Sequence, residues 1–221
     1  MPTSDGGLAR LFADAEGPEK TPARPPARIG PNAIIQTGQA LSALYGPGVA
    51  RLIFEAAGLE HYIGSLPTTM LNEHEPVALF AAIQATLPHA EADRVLAEAG
   101  RRTGHYILEN RIPPIARQFL PKLPAGLSSR LLVSAIARHA WTFAGSGRFE
   151  GRVTGWKRPV VTLVIAANPL ATPGCPWHGA VFHRLFASLC GDVASVRHTQ
   201  CCARGDGACI TQLGLGLAPM P

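Results

Sequence analysis

Three cysteines and a histidine crowd into HTQCCARGDGAC, residues 198–209, around a Gly-Asp-Gly turn. A fourth soft donor, Cys175, opens the stretch CPWHG upstream. The order is Cys175, twenty-two residues, His198, two residues, Cys201, seven residues, Cys209. Three thiolates and one imidazole make a closed tetrahedral zinc set with no open position for water, so such a site is structural and contributes folding energy directly. Other readings of the same residues stand beside it. Cys190, Cys201 and Cys202 are also the kind of small thiols that bury as ordinary core residues. A redox dithiol at Cys201–Cys202 is disfavoured because a vicinal disulfide is strained. An iron–sulfur cluster needs short four-cysteine spacings that are missing.

The donors must be positioned by elements that the hydrophobic pattern outlines. Residues 33–140 read as helices. They comprise NAIIQTGQALSALYG and GVARLIFEAAGL, each with a glycine near its end, then EHEPVALFAAIQATL and HAEADRVLAEAGRRTGHYILENRI. The proline-bounded PPIARQFLPKLP follows, then GLSSRLLVSAIARHAWTFAG, with Leu132, Ala135, Ile136, His139 and Phe143 on one face. The period then changes. GRFEGRVTGW and PVVTLVIAA read as a hairpin, WHGAVFHRLFASLCG as a helix, and DVASVRHTQC and CITQLGLGL as a second hairpin across ARGDG. Helices, then strand, strand, helix, strand, strand predict an α+β fold: an antiparallel sheet with helices packed on one side. A strand on each flank of the Gly-Asp-Gly turn would aim Cys201 and Cys209 at one point.

Composition bounds the function. A chain of 221 residues, 47% hydrophobic, is enough for one sizeable core. Residues 1–31, including AEGPEKTPARPPARIGP, are proline-rich and aperiodic and read as a disordered leader. We expect one domain over 32–215, clamped by metal in its part from about 145 onward, and a flexible tail at 216–221. No stretch resembles a signal h-region, and PVVTLVIAANPLA is too short to span a bilayer, so we expect a cytoplasmic protein, at most peripheral to a membrane. An odd cysteine count without an export signal argues against a disulfide framework. The net charge of +5 is uneven: Arg101, Arg102, Arg111, Arg117, Lys122, Arg130 and Arg138 face only Glu109. Such a run is either a solvated surface or a face for an acidic partner: a carboxylate ligand, an anionic membrane surface or another protein. Aromatic content of 6% argues against nucleic acid.

QCCARGDGAC after a strand, with Cys175 upstream and a helical lead-in, resembles the 4-vinyl-reductase domain family, over about residues 32–215. The likeness extends to the family's bacteriochlorophyll-biosynthesis members from purple phototrophs. It implies a small-molecule-binding module related in fold to TRAPP vesicle-tethering subunits. Members related to aromatic-sensing transcription activators hold zinc with three cysteines and an acidic residue. Those thiolates match Cys175, Cys201 and Cys209, and His198 stands where the acidic residue would be, a replacement zinc accepts.

The resemblance further implies a magnesium-tetrapyrrole ligand, with pathway enzymes or a second copy of the chain as protein partners. Arg101, Arg102 and Arg138 are the candidates to meet its propionates, and His105 and His139 to offer an axial nitrogen. A histidine on an apolar face is more often a satisfied core residue. The family name speaks of 8-vinyl reduction, but GLGLAP (214–219) and GSGRFEG (145–151) lack the strand–turn–helix context of a dinucleotide site. We therefore expect an accessory protein that binds or delivers a pathway intermediate. An 8-vinyl reductase is the alternative, and a ligand-sensing regulatory module the third reading.

Overall fold

A computed structural model describes residues 27–216. The helical half holds α1 (Asn32–Ala56), α2 (His74–Thr86), α3 (His89–Asn110), α4 (Pro114–Phe119) and α5 (Ala125–Arg138). A four-stranded antiparallel sheet follows, from β3 (Arg148–Thr154), β4 (Val160–Ala166), β5 (Val193–Gln200) and β6 (Ala208–Leu215), in the order β3-β4-β6-β5. The helix α6 (Pro176–Leu189) connects the two hairpins. The expected α+β architecture is present. The two expected N-terminal helices are both present within α1, which breaks between them at the non-helical Gly46, where φ is 83° and Pro47 follows.

Two short strands escaped the sequence reading: β1 (Arg28–Ile29) pairs antiparallel with β2 (Leu71–Asn72). Two-residue strands carry no period to read. Residues 1–26 of the expected leader and 217–221 of the expected tail lie outside the described residues. Residues 27–31 belong to the fold: Ile29 is fully buried, and Glu73 just after β2 anchors the sheet side by accepting the Ser146 N–H at 2.7 Å.

The central strands β4 and β6 alternate cleanly. Val161, Leu163 and Ile165, with Cys209, Thr211, Leu213 and Leu215, turn inward. On that face α5 and α6 pack, and α6 packs on α3. The α3–α6 seam is close because of two glycines. A Cβ on Gly100 would sit 2.2 Å from the Trp177 carbonyl oxygen, and one on Gly104 would sit 2.8 Å from the Arg184 Cβ. This seam fixes where α6 begins, and therefore where Cys175 stands. No helix among the described residues is long and apolar enough to cross a membrane.

Candidate metal centre

Cys175, His198, Cys201 and Cys209 present their donor atoms within 4.8 Å of one another. They come from three places: the cap of α6, the end of β5 and the start of β6. Cys175 is held at φ 44°, a left-handed conformation uncommon for a side-chain-bearing residue, and follows Gly174 at φ 75°. Its N–H is tied to the Thr172 carbonyl at 2.8 Å. Cys209 lies opposite Ile165 of β4 in the register and so faces inward.

His198 and Cys201 would point to opposite faces of a regular strand, three residues apart. The strand is not regular there. His198 pairs with Thr211 and Gln200 with Ile210, so Thr199 is an extra residue. That bulge reverses the alternation and brings His198 and Cys201 to the same side. Cys201 then closes the turn: its carbonyl accepts the Arg204 and Asp206 N–H groups, and its own N–H donates to Asp206 Oδ2 at 2.7 Å.

The geometry suits a tetrahedral ion. With zinc–sulfur bonds of about 2.3 Å, sulfurs on a tetrahedron sit about 3.8 Å apart. Here Cys175 Sγ lies 3.9 Å from Cys201 Sγ and 3.2 Å from Cys209 Sγ. All three cysteines are buried, and all five in the chain are free thiols. His198 Nδ1 is engaged by the Thr211 hydroxyl at 3.1 Å. Its Nε2 is buried without a hydrogen-bond partner among the described residues and is the nitrogen left for a metal. Three thiolates and an imidazole would more than offset the charge of a zinc ion and enclose it, leaving no position for a catalytic water.

Surrounding groups favour charged sulfur. The hydrogen bond from the Cys175 thiol, above all, draws Cys209 down to about 3, against its burial. His198, the Cys202 N–H and the Asn168 amide act in the same direction. Cys175 is correspondingly pushed up, because it supplies the shared proton and is buried. The Asn168 Nδ2 amide lies 3.4 Å from Cys209 Sγ and 3.9 Å from Cys175 Sγ, and its Oδ1 accepts the Leu170 N–H. Asn168, Thr172 and Thr211 were invisible to spacing arguments, since nothing in a lone Asn or Thr signals a ligand-orienting role. Cys190 stands apart in the main core, and Cys202 contributes its N–H, at 3.3 Å from Cys209 Sγ, to the set.

His178, on the first turn of α6, was also missed. It is 3% exposed, packed among Trp177, Phe143 and Phe182, and neither ring nitrogen has a hydrogen-bond partner among the described residues.

The remaining candidates do not converge. His139 is exposed at the end of α5, its Nδ1 2.9 Å from the Ala135 carbonyl, because the helix stops at Arg138 before the apolar face reaches it. Arg138 is exposed beside it. His105 is half-exposed and lies 3.1 Å from Glu109. Arg101 and Arg102 both clasp Glu98. Only Arg101 among these five lines an open groove of about 530 Å³ between α3 and α6, with Arg94, His183 and Arg184 over Ala97, Ala180 and Ala187.

Two curated relatives cover most of the chain. A protein of Cereibacter sphaeroides described as "Bacteriochlorophyll synthase 23 kDa chain" is 46% identical over 195 residues, 84% of this chain and 90% of the relative. One of Rhodobacter capsulatus with the same description is 39% identical over 188 residues, 83% of this chain and 85% of the relative. This chain belongs to the bacteriochlorophyll synthase 23 kDa chain family. No protein-family model matches it. The chain shares its fold with solved structures of another kind. One described as "Probing the function of heme distortion in the H-NOX family" superposes with TM-score 0.54 at 11% identity, covering 87% of this chain and 98% of that one. An H-NOX protein from S. oneidensis gives 0.51 at 13% identity, covering 86% and 100%. At these identities the likeness is one of fold. The structures named are H-NOX domains, and the finer expectation of a TRAPP-subunit-like module has no support from them.

Proposed function

We propose that this chain is an accessory protein of bacteriochlorophyll biosynthesis that binds or delivers a magnesium-tetrapyrrole intermediate, with a zinc ion held by Cys175, His198, Cys201 and Cys209 locking its C-terminal half. The observation that carries the reading is the closed Cys3His set at the junction of α6 and the last hairpin, in a chain whose relatives bear a bacteriochlorophyll name. A closed donor set performs no chemistry at the metal, so zinc's part is to hold α6 against β5 and β6. Two further observations support a tetrapyrrole. The fold is one in which solved neighbours are described as handling heme and porphyrin. The α3–α6 groove sets Arg94 and Arg184, with the Arg101–Glu98 pair, beside Leu44, Ala97, Ala180 and Ala187, a lining suited to an apolar ligand with carboxylates.

The test has two parts. Elemental analysis of freshly purified protein should find one zinc per chain. Titration with magnesium-protoporphyrin should shift and saturate the Soret band at one equivalent. A flat titration rejects the carrier role, and a preparation without stoichiometric metal rejects the zinc site.

A further inference from the structure

Between Glu109 and Glu150 the chain contains no acidic residue, yet it holds Arg111, Arg117, Lys122, Arg130, Arg138 and Arg148. At the start of this stretch α4 and the single turn Leu120–Lys122 bury no residue at all. Ile115 and Phe119 lie four apart, on one face of α4, and are 70% and 60% exposed. Among the described residues nothing covers these two large apolar side chains, whose ordering in water is otherwise unfavourable.

A second element joins them. The β3–β4 turn carries Trp156, 53% exposed, followed by Lys157 and Arg158. It is pinned to the start of α5, immediately after the α4 segment. The Gly126 N–H donates to the Trp156 carbonyl at 3.1 Å, and the Arg130 guanidinium donates to the Gly155 carbonyl at 3.3 Å. A Cβ at Gly126 would come within 2.7 Å of the Trp156 carbonyl oxygen, so the approach requires glycine. Each aromatic ring carries its own cation: Lys122 Nζ is 5.8 Å from the Phe119 ring centre, and the Arg130 guanidinium carbon is 5.3 Å from that of Trp156.

We propose that α4, the turn after it and the Trp156 loop form a docking surface for an anionic lipid bilayer. An aliphatic and an aromatic side chain on one face of a short helix, a tryptophan on the loop pinned to the start of the next helix, and a stretch with six cations and no carboxylate between Glu109 and Glu150 are the features that seat a protein at the interfacial depth of a membrane. Tryptophan prefers the headgroup level, and Lys and Arg stems reach past apolar contacts to lipid phosphates. The α3–α6 groove and the Cys3His set lie on other elements, so this surface is independent of the proposed ligand and metal.

The test is sedimentation of the full-length, zinc-replete protein with vesicles. The wild type should pellet with phosphatidylcholine vesicles containing phosphatidylglycerol, should not pellet with phosphatidylcholine alone, and should be released by salt. The double variant Ile115→Ser/Phe119→Ser should lose at least tenfold in partitioning with unchanged circular dichroism and zinc content, and Trp156→Ser severalfold. Trp141→Ser, at an exposed tryptophan elsewhere, and Arg197→Glu, on β5, should bind as wild type. Wild-type protein that ignores anionic vesicles overturns the proposal, as does undiminished binding by the double variant. Equally tight binding to soluble polyglutamate, insensitive to Ile115→Ser/Phe119→Ser, would mean an acidic protein surface and overturns it too.

Discussion

His198 on β5 and Thr211 on β6 face each other across the strand pair, and their side chains meet at 3.1 Å between Nδ1 and Oγ1. The contact engages Nδ1 and leaves Nε2 as the imidazole nitrogen available to a metal. Thr211→Val keeps the shape of the strand and removes only this hydrogen bond. We expect zinc to bind about 10–100-fold more weakly, with the fold retained, as is usual when a ligand-orienting partner is lost. Competition against a chromophoric chelator measures it. Unchanged affinity would mean that Thr211 only fills space.

The cysteines divide into those that converge and those that do not. Cys209→Ser should lose stoichiometric zinc and unfold at markedly lower temperature, because binding energy of the metal is folding energy. Cys190→Ser should keep its zinc. Cys190 lies in the main apolar core, where burial raises its thiol, so it stays protonated and adds nothing to the metal. Metal analysis and thermal melting of the two variants, side by side, check the assignment.

Gly100→Ala tests the seam that sets the position of Cys175. Its new methyl group would meet the Trp177 carbonyl oxygen at 2.2 Å, so α3 and α6 must separate. Overpacking of this kind costs about 1–3 kcal/mol. Chemical denaturation should show that loss. A variant as stable as wild type would place the helices further apart than described.

Burial pushes His178 down to about 4, with neighbouring charges as smaller effects. In the unfolded chain the ring takes up its proton near 6.5, whereas in the native state it does not until about 4. The unfolded state thus binds more protons between those values, and stability falls as the pH falls through that window. The loss would be about 3 kcal/mol if no rearrangement relieves it. His178→Phe, set among Phe143, Phe182 and Trp177, should show a smaller drop in melting temperature between pH 7 and pH 5. The metal ligands are the same in both proteins, so their own acid sensitivity cancels in the comparison.

Much of this architecture was legible in local pattern. Glycine and proline punctuation placed the helices, alternation placed β3, a continuous apolar run placed β4, and the turn ARGDG between two strand-like stretches placed β5 and β6. The break at Gly46–Pro47 was legible as the glycine stop between two helical patterns, whereas the pair β1–β2 was not, because two residues carry no period. His139 was assigned to an apolar face that in fact ends before it, since the last turn of α5 closes at Arg138.

The donor types and their order along the chain were determined by sequence alone, as were the basic, acid-free stretch and the α+β class. Convergence of the donors was decided in three dimensions. A regular β5 would have sent His198 and Cys201 to opposite faces. The extra residue Thr199, the left-handed Cys175 and the glycine-close α3–α6 seam together turn four donors toward one point. Each is a property of backbone pairing and helix packing between distant segments, which no local period encodes.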